Sequence, residues 1–251
     1  MTKKKIWMFS MGLLLVVSLS SFYWFYLAEP AAFPEDNQLI NEMNQIFPQA
    51  AVEVIQDKIH ADDRHVAVPF ISEKQMYGLS YWTWKKHKWQ VAHIDLGGEP
   101  KVWKVEPQDP SSYHFVWNIS PAEKLSAIQL YMLRDRSHWM SEEKETYEPG
   151  VQMEWTVLLQ DQPYGLMPLP DGGVKVLDAY VNVSGARKPN LFFDHMFPEQ
   201  EVYFSWIAKD GSGNEAFPTS IMNNTSYSAR NNPVDYMLIY SEDQLELPDR
   251  E

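Results

Sequence analysis

His65-Val-Ala-Val-Pro-Phe-Ile-Ser-Glu-Lys-Gln-Met-Tyr-Gly-Leu-Ser-Tyr-Trp-Thr-Trp-Lys-Lys-His-Lys-Trp-Gln-Val-Ala-His-Ile-Asp95 is the stretch whose reading decides the fold. It contains three runs rich in β-branched and aromatic residues: His65–Ile71, Gln75–Trp84 and Trp89–Asp95. Such runs fit a pleated surface, and the polar connections between them fit turns. Lys85-Lys-His-Lys88 is a short basic turn between the second and third runs. Pro69 marks the first strand as an edge or bulged strand, since proline cannot donate to a ladder. Strict alternation puts Trp82 and Trp84 on one face and Tyr77, Leu79 and Tyr81 on the other. Both faces are therefore apolar, and both need cover.

Working outward, Leu96-Gly-Gly-Glu-Pro100 turns the chain into a further strand, Lys101–Val105. Upstream, Ala51–His60 alternates in part, and Ala61-Asp-Asp-Arg64 makes a turn. Leu39, Ile40, Met43, Ile46 and Phe47 recur at helical spacing, with Asp36 or Asn37 as N-cap and Pro48 as the stop. One helix and an antiparallel meander make a small α+β unit over residues 37–106.

Pro107-Gln-Asp-Pro-Ser-Ser112 is the internal boundary. Beyond it, strands are expected at Tyr113–Ile119, Val151–Gln160, Val174–Val183, Glu201–Ala208, Glu215–Ile221 and Val234–Tyr240. Pro168-Leu-Pro-Asp-Gly-Gly173, Ser184–Pro189 and Asp210-Gly-Ser-Gly-Asn214 separate them as turns. Short strands so punctuated suggest a β-sandwich of immunoglobulin-like type over residues 113–245. Ser120–Arg136 reads two ways. Ser120, Pro121 and Glu123 resemble a helix start, whereas Ser126–Leu133 would serve as a central strand, and a sandwich favours the strand. The fold class is α+β, mostly β.

Lys3, Lys4 and Lys5 precede an uncharged run, Ile6–Ala28, with aromatic residues near both ends. The run is long enough to cross a bilayer as a helix. Lysines stay on the cytoplasmic side and aromatic rings favour the headgroup zone. Residues 1–5 are thus expected as a cytoplasmic tail, 6–28 as a transmembrane signal-anchor, and 29–36 as a linker to an extracytoplasmic body in the cell envelope. A signal peptide cleaved after Ser20 is the competing reading, and it would leave an exposed aromatic tail.

The chain has 251 residues, no cysteine and a net charge of −13. Before residue 29 its only charges are the three lysines, so the remainder carries −16. This acidic ectodomain argues against nucleic acid as a partner, and the missing cysteines exclude disulfides, thiol nucleophiles and cysteine-held metals. Thirty-five Trp, Tyr and Phe side chains exclude intrinsic disorder.

No catalytic motif, metal motif or cofactor fingerprint stands out. Ser141-Glu-Glu-Lys144 matches a four-residue serine-enzyme pattern without the Lys-Thr-Gly element that should accompany it. His60-Ala-Asp-Asp-Arg-His65 clusters two imidazoles and two carboxylates, and Asp210–Glu215 is rich in oxygen ligands, but turn chemistry accounts for both. The aromatic hairpin is the most distinctive feature. Trp82, Trp84 and Trp89 are the candidate binding residues, for a wall glycan stacking on their rings or for an envelope protein. The expected role is that of a non-catalytic binding or interaction module held in the lipid bilayer through residues 6–28. A carboxylate-dependent hydrolase is the enzymatic alternative.

Overall fold

Alternation in the quoted stretch does become paired strands, and a computed structural model of the chain describes them within residues 3–22, 24, 29–141, 144–186, 202–219, 225–230 and 233–246. The N-terminal elements are α1 (Lys3–Phe22), α2 (Asp36–Ile46), β1 (Val52–Ile55), β2 (Ile59–Asp62), β3 (His65–Ser72), β4 (Tyr77–Lys85) and β5 (Lys88–Asp95). The middle of the chain supplies β6 (Lys101–Lys104), β7 (Tyr113–Asn118), β8 (Leu125–Arg134), β9 (Ser137–Ser141), β10 (Lys144–Glu148), β11 (Val151–Leu158) and β12 (Tyr164–Pro168). Then come α3 (Asp171–Ala186), β13 (Tyr203–Asp210), β14 (Glu215–Ala216), β15 (Ser226–Ser228), β16 (Val234–Tyr236) and β17 (Leu238–Ile239).

Among the described residues these strands form three larger sheets and one ribbon. Sheet A has the order β1-β3-β4-β5-β15, with β2 also on β3; sheet B has the order β12-β7-β6-β16. Sheet C runs β11-β8-β13-β14, with β17 parallel to β13, and β9 pairs with β10 in the ribbon. The fold is α+β and mostly β, with antiparallel pairing dominant.

The sheets stack. Leu39 and Met43 of α2 pack on Val66, Val68, Phe70 and Trp82, which cover one face of sheet A. The opposite face, with Ala67, Leu79 and Tyr81, meets Trp103 and Val116 of sheet B. The other face of sheet B, with Val102, Phe115 and Trp117, meets Ile128, Leu130, Phe204 and Trp206 of sheet C. Tyr131, Leu133 and Ile207 on the far side of sheet C lie under Tyr240 and Leu245. The two apolar faces of β4 are thus explained by a layer on each side.

Ser120–Arg136 resolves as the strand β8 preceded by a single 3-10 turn, Pro121–Glu123, in which the Ser120 side chain accepts from Ala122 N. Other expectations need correction. Val174–Val183 is the interior of α3, not a strand. Gly172 and Gly173 read as a turn, yet they begin this helix because it starts close against its neighbours. A Cβ on Gly172 would meet Met153 Cε at 2.8 Å, and one on Gly173 would meet Leu169 Cδ1 at 3.0 Å. Leu177, Val174 and Val176 then join the core between sheets B and C.

Ala51–His60 is broken into β1 and β2, which both pair with β3, and between them Gln56 N donates to Pro69 O. Lys101–Val105 leaves the meander and pairs with β7 and β16 in sheet B. Pro107–Ser112 is therefore the connection of the β6–β7 hairpin, held by Asp109 Oδ1, which accepts from Ser111 N at 3.0 Å and Ser111 Oγ at 2.6 Å. Of Glu215–Ile221, Glu215–Ala216 is strand and residues 217–219 are not, while Ser220 and Ile221 lie outside the described residues. The turn at Ser184–Pro189 falls partly in the end of α3 and partly outside the described residues.

Among the described residues no helix is long and apolar enough to cross a membrane. α1 has twenty residues, the first three of them lysines. Its uncharged part is about 26 Å long against a hydrocarbon core of about 30 Å. Residues 23 and 25–28 of the expected span lie outside the described residues.

Met43 is fully buried between α2 and sheet A. Met43→Ala is expected to lower unfolding stability by about 2–5 kcal/mol, the usual cost of such a cavity. Urea denaturation followed by tryptophan fluorescence checks this.

Candidate functional site

The site at the edge between sheets A and B follows from the parity of β6. Lys101, Trp103 and Val105 alternate towards sheet A, so the register carries a lysine inward along with two apolar residues. Across from it, β5 ends in Asp95, also fully buried. The Leu96–Pro100 connection crosses from one sheet to the other, and Gly98 makes the crossing feasible. A Cβ there would lie 1.7 Å from the Asn118 carbonyl oxygen, a backbone atom that cannot swing away.

Lys101 Nζ lies 3.1 Å from Asp95 Oδ2 and 3.0 Å from Glu99 Oε1, and the Gly97 carbonyl accepts from it at 3.2 Å. The Tyr236 ring sits 5.1 Å from the ammonium group. The Tyr236 hydroxyl donates to Asp95 Oδ2 at 3.0 Å, while Gly97 N donates to Asp95 Oδ1 at 2.7 Å. His93 Nδ1 is 2.8 Å from Ser228 Oγ, and its Nε2 is 3.7 Å from Asp95 Oδ2. Two carboxylates, one ammonium and a row of donors thus bind two sheets and the C-terminal strands together.

Burial by itself would raise the Asp95 pKa, but the neighbouring His93 imidazole, the Lys101 charge and the Gly97 N–H outweigh it, and the carboxyl falls to about 2. Burial, reinforced by Asp95 and opposed by Ser226, pushes the Tyr236 hydroxyl up to about 12. Burial raises the Tyr81 hydroxyl well above its usual range. Among the described residues the Tyr81 hydroxyl and Trp103 Nε1 are buried without a hydrogen-bond partner. Each such orphan costs about 1–3 kcal/mol of desolvation. The cluster ties the layers together.

Beside this cluster opens a cavity of about 320 Å³, bordered by Tyr77, Leu96, Gly97, Glu99, Asn118 and Glu123 among others. Asn118 is 1% exposed. Its Nδ2 lies within hydrogen-bond distance of Gln56 Oε1, Phe70 O and Gly78 O, whereas its Oδ1 has no partner among the described residues. Glu123 accepts from Thr219 N at 3.0 Å. Glu123 is thereby tied to Thr219, and the Asn118 side chain to sheet A, at the border of the cavity.

The sequence-based candidates lie elsewhere. Trp82, Trp84 and Trp89 are 0%, 7% and 8% exposed and belong to the core under α2. Phe33 packs edge-on against Trp82 and Trp89, and Trp84 against Trp89. No face of these rings is free for a sugar. Asp62 binds His65 Nδ1 at 2.9 Å within its turn, while His60 meets Phe33 instead. Asp210 Oδ1 is used by Ser212 N and Asn214 N at 2.8 and 2.9 Å, which closes the turn. Ser141 and Lys144 end the two ribbon strands, and residues 142–143 lie outside the described residues. Among the described residues no group of three His, Asp or Glu is arranged to hold a metal.

Reading the sequence missed Lys101, Asp95 and Asn118. A usable signal was present, since Lys101 shares parity with Trp103 and Val105, and Asn118 with Val116. No known protein family, curated protein or solved structure matches the chain.

Removing Lys101 leaves Asp95 and Glu99 buried without their cation. Lys101→Met is expected to cost about 3–5 kcal/mol in urea unfolding at neutral pH. The depressed Asp95 pKa fixes the sign of an acid effect: its stabilisation is complete above the ordinary value of 3.8 and lost as pH falls towards 2. About 2 kcal/mol should disappear across that window. Unfolding of the Asp95→Asn variant, measured over the same range, should lack this component.

Proposed function

We propose that this chain is a single-pass, membrane-anchored extracytoplasmic protein that acts as a non-catalytic interaction module of the cell envelope. One observation carries the reading. Trp7, Leu13, Leu14, Val16, Val17 and Leu19 of α1 are each more than half exposed, while the same residue types elsewhere fill the cores. A continuous apolar surface of that kind is costly in water and favourable in hydrocarbon. The uncharged sequence Ile6–Ala28 then spans the bilayer, Lys3–Lys5 hold the N-terminus in the cytoplasm, and the acidic stack lies outside.

The absence of catalysis in this proposal follows from how the buried carboxylates are engaged. Asp95 and Glu99 share Lys101, and a carboxyl kept ionised by three donors is a poor general acid. A glycoside hydrolase would face its two carboxyls across a groove instead of joining them through one lysine. The wall-glycan alternative needs exposed rings, and Trp82, Trp84 and Trp89 are interior. The cavity bordered by Tyr77, Leu96 and Glu123 is the better place for a partner.

Fractionation of cells expressing the full chain tests the proposal. The chain is expected to stay with membranes after alkaline carbonate extraction, and external protease is expected to digest it to a short N-terminal fragment. Recovery of the intact chain in the soluble fraction would overturn the anchor.

A further inference from the structure

The basic connection Lys85-Lys-His-Lys88 is the tip of the β4–β5 hairpin, and it lies at the end of the proposed anchor. His87 stacks on Trp24 with ring centroids 4.5 Å apart and an interplanar angle of 21°. The same imidazole hydrogen-bonds the Trp24 carbonyl through Nε2. The linker is seated on the hairpin as well: Trp89 Nε1 donates to Ala31 O at 3.0 Å, and Phe33 packs 4.8 Å from the Trp89 ring. The tip is therefore positioned at the level of the aromatic residues that mark the headgroup zone.

Charge and backbone geometry both single out the tip. Lys85, Lys86 and Lys88 are exposed in a part of the chain that carries −16 beyond residue 28. Lys86 and His87 occupy the left-handed region, with φ of 54° and 61°. Two-residue hairpin turns of that geometry favour Asn and Gly, so a Lys-His pair there holds basic groups at the apex against conformational preference. The facing carboxylate is Glu42 of α2, whose pKa is raised by burial and lowered in part by Lys88.

We infer that Lys85, Lys86, His87 and Lys88 form a lipid-headgroup site that binds the phosphates of anionic phospholipid beside the chain's own anchor. The contact orients the stack, with this basic tip towards the bilayer. Attraction of lysines to an anionic surface acts only within a Debye length, about 8 Å at physiological salt, so proximity to the anchor is what makes the tip effective. The inference rests on the membrane-anchored reading above.

The chain has no cysteine, so Thr83→Cys supplies a unique fluorophore site near the tip. The full chain is reconstituted into vesicles of phosphatidylcholine alone or mixed with phosphatidylglycerol, and quenching by a headgroup-located nitroxide is measured. Strong quenching is expected with phosphatidylglycerol. It should fall to the phosphatidylcholine level at high salt, and also when Lys85, Lys86 and Lys88 are all changed to Ser in a variant with unchanged near-UV circular dichroism. Flotation of the same samples separates the two claims. Chain that fails to float with vesicles overturns the anchor and the inference with it. Chain that floats, yet is quenched equally in both lipids or equally in the serine variant, overturns the inference alone.

Discussion

The central strands of sheet B, β6 and β7, have neither face in water, and the layers around them follow from that constraint. All six residues of β7 are buried, and β6 is buried but for its last residue. An antiparallel sheet usually keeps one solvated face. Here sheet A supplies cover on one side and sheet C on the other, so the core is two thin apolar layers instead of one. The outer faces of A and C then need their own cover, which α2 and the Tyr240–Leu245 segment provide.

The same constraint generates the polar interior. A strand buried on both faces cannot send its polar side chains outward, so Lys101 and Asn118 must find partners between the sheets. Lys101 finds two carboxylates, a carbonyl and an aromatic ring; Asn118 spends its amide nitrogen on acceptors from sheet A. Buried ion pairs of this kind are weak sources of net stability, because desolvation offsets the Coulomb gain. Their geometric demands instead fix how two sheets are juxtaposed. The cavity lies where this fixing is incomplete, at the Gly97–Gly98 crossing.

The hairpin tip and the cavity lie at different places on the stack and suit different chemistry. One presents lysines beside the linker, the other is a cavity bordered by Leu96, Asn118 and Glu123.

Local pattern determined a good part of this protein. The alternating runs of β3, β4 and β5 and the span and stop of α2 are legible because each is long enough for its period to outweigh noise, whereas the N-cap of α2 is Glu35 and not Asp36 or Asn37, and β8 reads two ways in sequence. The short strands β12 and β15 are not, since a proline-flanked run and a Ser-Tyr-Ser triplet carry no period. α3 misleads because alternating valines and a glycine pair imitate a strand after a turn, when the glycines serve close packing. The sequence likewise marked the aromatic hairpin as needing cover on both faces, but only tertiary structure decided what covers it. Which sheet β6 joins, and hence why Lys101 and Asp95 meet, depends on a chain crossing at Gly98 and on contacts between residues far apart in sequence. Local periodicity has no access to contacts of that kind.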